Sequence, residues 1–370
     1  MVTAYGNYYA GKKVLVTGHT GFKGSWLSTW LNMMGAKVYG IALEPATDPS
    51  MFQAVGLENS TSHHVLDIRN KAELSSLVKK IQPDVVLHMA AQALVFAAYD
   101  DPISTIETNA IGTANVLESL RQIDHPCSAV MITSDKCYEN VEWEWGYRES
   151  DRLGGADPYS ASKACAEIVI SSYVRSFFNN DSKVRIASVR AGNVIGGGDW
   201  SANRIVPDCV KSWSDGKSVL IRRPNSTRPW QHVLEPLSGY LRVGELLSSD
   251  EKLHGESFNI GPPANQDHSV LELITRLSNH WFGDSPAFDP INLQPDQSRH
   301  EAGLLKLSCD KALARLGWEP TYNFEQTTEA TASWYKAYYA GSEDIQKLTV
   351  QQIRQYVDCA FAKGSKWTQN

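Results

Sequence analysis

Tyr159 and Lys163 lie four residues apart in YSASK, and on one helix that spacing puts a phenol and an ammonium on the same face. A cation so placed can lower the phenol from its ordinary pKa of about 10 toward the working range, and the phenolate is then a usable base. Ser134, which ends AVMITS, can hydrogen-bond the same substrate oxygen. A YxxxK pair can equally be an exposed helical pair without chemistry. The position of this one, after the fifth strand of a fold that opens on a glycine turn, favours the catalytic reading.

GHTGFKG places Gly18, Gly21 and Gly24 directly after a first strand and at the mouth of a helix from Phe22 to Met34. The first glycine permits a tight turn, and the second lets backbone approach a pyrophosphate. The helix start offers free N–H groups and a partial positive charge. This is a dinucleotide site. Glu44, at the end of the second strand, is placed to accept from ribose hydroxyls and to repel the extra phosphate of NADP, so NAD is the expected cofactor. The alternative for Glu44 is a solvated loop glutamate ahead of Pro45. Asp67, closing the third strand, could accept from the adenine amino group while Ile68 packs on the ring.

The elements that must position these groups alternate along the first half of the chain. Strands are expected at Lys13 to Thr17, Lys37 to Leu43, His64 to Asp67, Asp84 to His88, Ala129 to Thr133 and Val184 to Arg190. Helices are expected at Trp26 to Met34, Ala72 to Ile81, Thr105 to Ile123 and Tyr159 to Phe178. That alternation predicts an α/β fold, a doubly wound parallel sheet of Rossmann type covered on both faces. Past Gly192 the pattern breaks into NVIGGGDW and RRPNSTRPWQH, read as loops and short strands of a smaller C-terminal α/β domain that holds the substrate. The expected division is 1–193 with a returning segment at 236–261, then 194–235 and 262–340, then a final helix and polar tail over 341–370.

With 370 residues, 42% apolar and 21% charged, the chain can bury a substantial core. Its net charge of −6 argues against a general grip on nucleic acid or an anionic membrane. No apolar run approaches the roughly 20 residues that span a bilayer, and the N-terminus lacks a secretion-signal pattern, so a cytoplasmic location is expected. The six cysteines form no CxxC pair and no zinc-ligand spacing, so they read as reduced thiols with no metal site.

GHTGFKG, HMAAQ, TSDKCYEN, GYRE, DPYSASK, RAGNVIGGGDW and RPWQHVLEPLSGY occur in order from Gly18 through Tyr240, with a fainter echo at HEAGLLKLS. Together they resemble the extended short-chain dehydrogenase/reductases, most closely the CDP-glucose 4,6-dehydratases. The resemblance implies that Tyr159 takes the proton of the sugar 4-hydroxyl as hydride leaves C4, that Lys163 holds the nicotinamide ribose, and that Ser134 steadies the oxygen. The 4-keto group acidifies C5–H, water is eliminated across C5 and C6, and the stored hydride returns to C6. The adjacent pair Asp135 and Lys136 is assigned jointly to that elimination, with Asp135 favoured as the acid at C6 and Lys136 as base or keto-stabilising group. Phe22, Ala90, Ala91 and Asn109 are implied around the cofactor. Asn193, Arg204, Arg228 and His300 are implied around the substrate diphosphate, and Gln92 in the sugar pocket.

One departure concerns specificity. After HMAAQ the CDP-glucose branch usually continues with an arginine and a serine, whereas this chain has Leu94, Val95, Phe96, Ala97, Ala98 and Tyr99. Two rival readings are a nucleotide-sugar epimerase or dehydrogenase, which needs no acid pair after the strand, and a non-catalytic NAD sensor or scaffold, which would not need Tyr159 and Lys163. In the resembled family the two long helices pair across a two-fold axis into a four-helix bundle, so a homodimer is expected.

Overall fold

The computed structural model describes residues 4–179, 182–263, 265–283, 287–294 and 304–369. Seven strands form one sheet: β1 Lys13–Thr17, β2 Lys37–Ala42, β3 Ser62–Val65, β4 Val85–His88, β5 Cys127–Ile132, β6 Val184–Ala191 and β7 Ser257–Ile260. Their spatial order is β7-β6-β5-β4-β1-β2-β3, every pairing is parallel, and the order reverses between β1 and β4. This is the doubly wound sheet that the alternation predicts.

Side-chain alternation builds two cores from the same strands. Val14, Val16, Val85, Leu87 and Val130 face one core, together with Trp26 and Trp30 of helix α1 (Phe22–Met33) and Leu234 and Leu237 of the helix Leu234–Leu247. Leu15, Val86, Ala129 and Met131 face the other, packed under the helices Lys71–Ile81, Gly112–Leu120 and Pro158–Phe177. Strands buried on both faces lose all room for sideways movement, which is what a site spread over four strand ends requires.

Several boundaries differ from the sequence reading. β3 ends before Asp67, whose carboxylate accepts from the Arg69 N–H at 2.8 Å and turns the chain. The helix expected from Thr105 to Ile123 starts earlier, at Pro102 behind an Asp101 cap, widens to a π turn over Glu107–Ile111, and stops at Leu120. The catalytic helix starts at Pro158, a proline in the first turn being compatible with the Asp157 cap that accepts from Ser160 N.

Past Gly192, where the sequence predicts loops and short strands of a smaller α/β part, the helices Ile205–Ser214, Leu234–Leu247, Val270–Phe282, Phe324–Ala340 and Ile345–Ala362 form as well, and β7, within the segment 236–261, joins the main sheet beside β6. The tail is not a polar one. Trp367 is fully buried, stacks on Tyr5 with centroids 5.1 Å apart, and lies near Tyr356, whose hydroxyl donates to buried Glu235 at 2.8 Å. The C-terminal segment therefore braces α1, the helix that begins at the glycine turn.

Candidate active site

The carboxyl ends of β1, β4, β5 and β6 meet beside the switch point, where doubly wound sheets bind their ligands. Gly18 leaves β1 in the left-handed region with φ 78°, and a Cβ there would lie 2.8 Å from the Ala90 nitrogen. A Cβ on Gly24 would lie 2.1 Å from the Gly18 carbonyl oxygen, so α1 sits this close to its own entry turn only without a side chain. Gly21 precedes α1 with no side-chain cap, which leaves the first amides open. A turn with open donors, a positive helix end and no obstructing Cβ fits a pyrophosphate.

Around that turn, Phe22 is half-buried at the helix start and Ala90 donates its N–H to Thr17 Oγ1 at 3.1 Å, which ties the segment after β4 to β1. Ala91 follows, partly exposed. Glu44 is exposed just past β2, free to reach a ribose. Asp67 is held by Arg69, with a shortest contact of 2.6 Å, and that guanidinium keeps its carboxyl below the usual range. Ile68 corrects the sequence reading. Its side chain is in the core, where a Cβ on Gly112 would lie 2.6 Å from its Cδ1, so the ring-packing role falls to other atoms.

Asn109 and Gln92 also act through the scaffold. Asn109 Nδ2 donates to the Gln92 carbonyl at 3.0 Å and to Ser162 Oγ at 2.8 Å, so it clips the segment after β4 to the catalytic helix. The Gln92 amide is engaged at both ends, accepting from Leu94 N at 2.6 Å and donating to Leu94 O and Thr105 Oγ1. It shapes the loop rather than offering its amide to a sugar.

Ser134, Asp135, Tyr159 and Lys163 come together and are all buried, which excludes the exposed-pair alternative. Ser134 caps the 3-10 turn Asp135–Cys137, accepting from Lys136 N at 3.2 Å and donating to Asp135 Oδ1 at 2.9 Å, and it acts on the Tyr159 phenol. Lys136 is partly exposed on the same turn. Burial pushes Tyr159 up to about 12, against the hydrogen bond from Ser134 and the Arg204 charge, which pull it down. The expected lowering by Lys163 is not seen in this state, where Ser134 and Arg204 are the groups that oppose burial. Burial also pulls Lys163 itself down to about 8, with Cys137 and Glu167 opposing.

Asp135 is raised above the usual carboxylate range by burial, with Lys136 and Ser134 opposing. Its Oδ2 is buried without a protein partner, and a Cβ on Gly192 would lie 2.4 Å from that oxygen. An acid with one open oxygen and a tendency to keep its proton is a proton donor awaiting an acceptor. Arg228 is buried, donates to Thr227 O at 2.7 Å, and its charge reaches Asp135. Arg204 pairs with Asp199 at 2.8 Å and acts on Tyr159, which places it nearer the reacting centre than a diphosphate neighbour alone. Asn193 accepts from Gln231 N through its carbonyl at 3.1 Å, and His300 lies outside the described residues.

Three residues escaped the sequence reading. Lys23 has a partly exposed stem, yet its ammonium donates to Tyr240 OH at 2.8 Å, and burial draws it down to about 7, with Lys163 and Arg204 adding to the effect. Gly192 makes room for Asp135. Lys23 lies in GHTGFKG and Tyr240 in RPWQHVLEPLSGY, but only the direction of the side chain reveals them. Among the described residues no group of three or more His, Cys, Asp or Glu could hold a metal, and no helix is long and apolar enough to cross a membrane.

A glycine-turn Rossmann sheet with a buried Ser–Tyr–Lys centre defines the class of the extended short-chain dehydrogenase/reductases. Within it, the chain belongs to the GDP-mannose 4,6 dehydratase family, whose model matches residues 15–331. It is 45% identical to the CDP-glucose 4,6-dehydratase of Salmonella typhimurium over 355 residues, covering 95% of this chain and 98% of the relative. Identity to the dTDP-glucose 4,6-dehydratase of Haemophilus influenzae is 24%, over 87% of this chain and 97% of that one. In fold it is similar to a dTDP-glucose 4,6-dehydratase from Streptomyces venezuelae solved with NAD, at TM-score 0.74 and 22% identity over 90% of this chain and 99% of that one. The UDP-glucose 4-epimerase of Thermotoga maritima superimposes as well, at TM-score 0.74 and 21% identity over 88% of this chain and 99% of that one. The fold is thus common to dehydratases and epimerases.

Proposed function

We propose that this chain is an NAD-dependent nucleotide-sugar 4,6-dehydratase that converts CDP-D-glucose to CDP-4-dehydro-6-deoxy-D-glucose and water. The observation that carries the reading is Asp135: a buried acid with an open oxygen, bonded to Ser134 and next to Lys136, on the turn that faces Tyr159. An epimerase has no use for a proton donor there. NAD suits Glu44 at the end of β2, and when bound it supplies the reversible hydride store that keeps the reaction redox-neutral.

The remaining work belongs to the chain. Tyr159 takes the 4-hydroxyl proton while Ser134 steadies that oxygen, and Lys163 holds the nicotinamide ribose. Asp135, kept protonated by burial, gives its proton to the departing C6 hydroxyl, and Lys136 removes the C5 proton or stabilises the keto oxygen. Arg228 and Arg204 take the diphosphate side with Asn193, between the Rossmann part (1–193 and 236–261) and the smaller part (194–235 and 262–340). A cytoplasmic location accompanies such a substrate.

Substrate choice is tested by offering CDP-, GDP-, dTDP- and UDP-glucose to the purified protein with NAD and weighing the products. A product one water lighter from CDP-glucose, formed faster than from the others without net NADH, is expected. A product of unchanged mass would instead make the chain an epimerase. A preference for another nucleotide would trace to the exposed Phe96, where the CDP-glucose branch has arginine.

The same reading includes a homodimer. Ile103, Ile111, Ile168 and Phe177 are exposed on the helical run from Pro102 to Leu120 and on the helix Pro158–Phe177, an apolar band that pairing with a second copy would cover. Sedimentation at micromolar concentration should give twice the chain mass of 41.0 kDa, and a monomer would refute the pairing.

A further inference from the structure

The proton-handling residues stand on a buried polar layer that the mechanism above does not use. Glu167, one helical turn beyond Lys163 on the catalytic helix, is 3% exposed. Its carboxylate accepts from Thr133 Oγ1 at the end of β5, from Ser188 Oγ at 3.0 Å, and from Arg190 Nη2 on β6 at 2.8 Å. Arg190 is itself buried and donates to the Tyr138 hydroxyl at 2.7 Å and the Glu149 carbonyl at 3.1 Å.

We propose that Glu167 is a positioning residue: it fastens the catalytic helix to the strand end that carries Ser134, and its negative charge keeps Lys163 in the ammonium form that grips the cofactor ribose. The geometry gives it both tasks. Thr133 immediately precedes Ser134, so a bond from Thr133 to Glu167 sets the distance between the Ser134 strand and the Tyr159–Lys163 helix. Lys163 is surrounded by groups that do not hold a cation. Lys23 of α1 opposes it directly, His88 of β4 is kept neutral by burial, and Cys137 of the neighbouring turn is kept as a thiol by burial. With Cys137 kept as a thiol, Glu167 is the anion that favours the charged lysine, and Arg190 of β6 pairs with it at 2.8 Å. Burial pulls Lys163 down to about 8, close to working pH, even with Cys137 and Glu167 opposing it, so the loss of one nearby negative charge changes its protonation where the enzyme operates.

This inference rests on the role given to Lys163 under the proposed function. The test compares wild type, Glu167→Gln, Glu167→Asp and the double variant Glu167→Gln/Arg190→Gln, which removes both buried charges should the single variant not fold. Two readouts are taken from pH 6 to 10: kcat, and NAD affinity without sugar by calorimetry. Glu167→Gln and the double variant should lose NAD affinity, and reach half-maximal kcat on the alkaline side, at a pH lower by about one unit, with the acidic side unchanged. Glu167→Asp should restore the wild-type position. Asp135 contributes equally in every variant and plays no part in ribose binding, so a shift between variants reports Lys163. A folded Gln variant, single or double, with the wild-type alkaline profile in both readouts overturns the inference. Absence of turnover in the wild type would instead overturn the dehydratase reading, leaving the binding profile to decide the role of Glu167.

Discussion

Tyr159→Phe lowers kcat with CDP-glucose by a hundredfold or more, roughly the contribution of a positioned proton acceptor. The substitution removes one oxygen from a ring that is 8% exposed, so packing of the catalytic helix is preserved and the loss falls on chemistry. The phenol is unusually difficult to ionise in this structure, at about 12, because it is buried. Its ionisation must therefore be coupled to oxidation at C4, with Ser134 and Arg204 stabilising the charge as it forms. Steady-state kinetics with a melting curve checks this, and wild-type turnover in a folded variant would remove Tyr159 from the mechanism.

Asp135→Asn should reduce formation of the 4-keto-6-deoxy product by on the order of a hundredfold to a thousandfold while the KM for CDP-glucose changes by only a few-fold. Asparagine keeps the size and the bond from Ser134 but has no proton to give at C6. The wild-type group is suited to giving one, because burial raises its pKa and its Oδ2 faces no protein donor. Product mass at fixed times measures the loss. Dehydration within a few-fold of wild type would assign the acid role elsewhere, with Lys136 first in line.

Much of the framework was readable before any coordinates, and for a common reason. β1 and β4 centre on the continuous apolar runs VLV and VVL, because strands buried on both faces admit little else, and the glycines at 18 and 24 are required by contacts under 3 Å that any Cβ would make. YSASK and its partner Ser134 were recognisable because a helix imposes a fixed spacing. The second half was less legible. The helices Val270–Phe282 and Phe324–Ala340 begin with complete capping boxes, Ser269 with Glu272 and Asn323 with Gln326, a signal present in the sequence but passed over amid the surrounding loop residues.

Other site features could not be read from spacing at all. Ile68 looked like a ring-packing residue beside Asp67, yet its side chain alternates into the core. Gln92 looked like a polar pocket residue, yet a loop with two backbone groups to satisfy takes up its amide. Lys23 and Glu167 lie within the helices Phe22–Met33 and Pro158–Phe177. Their meaning depends on tertiary neighbours, Tyr240 for one and Arg190 for the other, from 217 and 23 residues away.

On the proposed mechanism one active site oxidises C4, eliminates water and reduces C6 without exchanging its hydride with solvent or a second substrate. CDP-glucose deuterated at C4 tests it most directly. A product one water lighter that retains the deuterium, now on C6, is expected. Loss of the label from the product, or its appearance in released NADH, would contradict it.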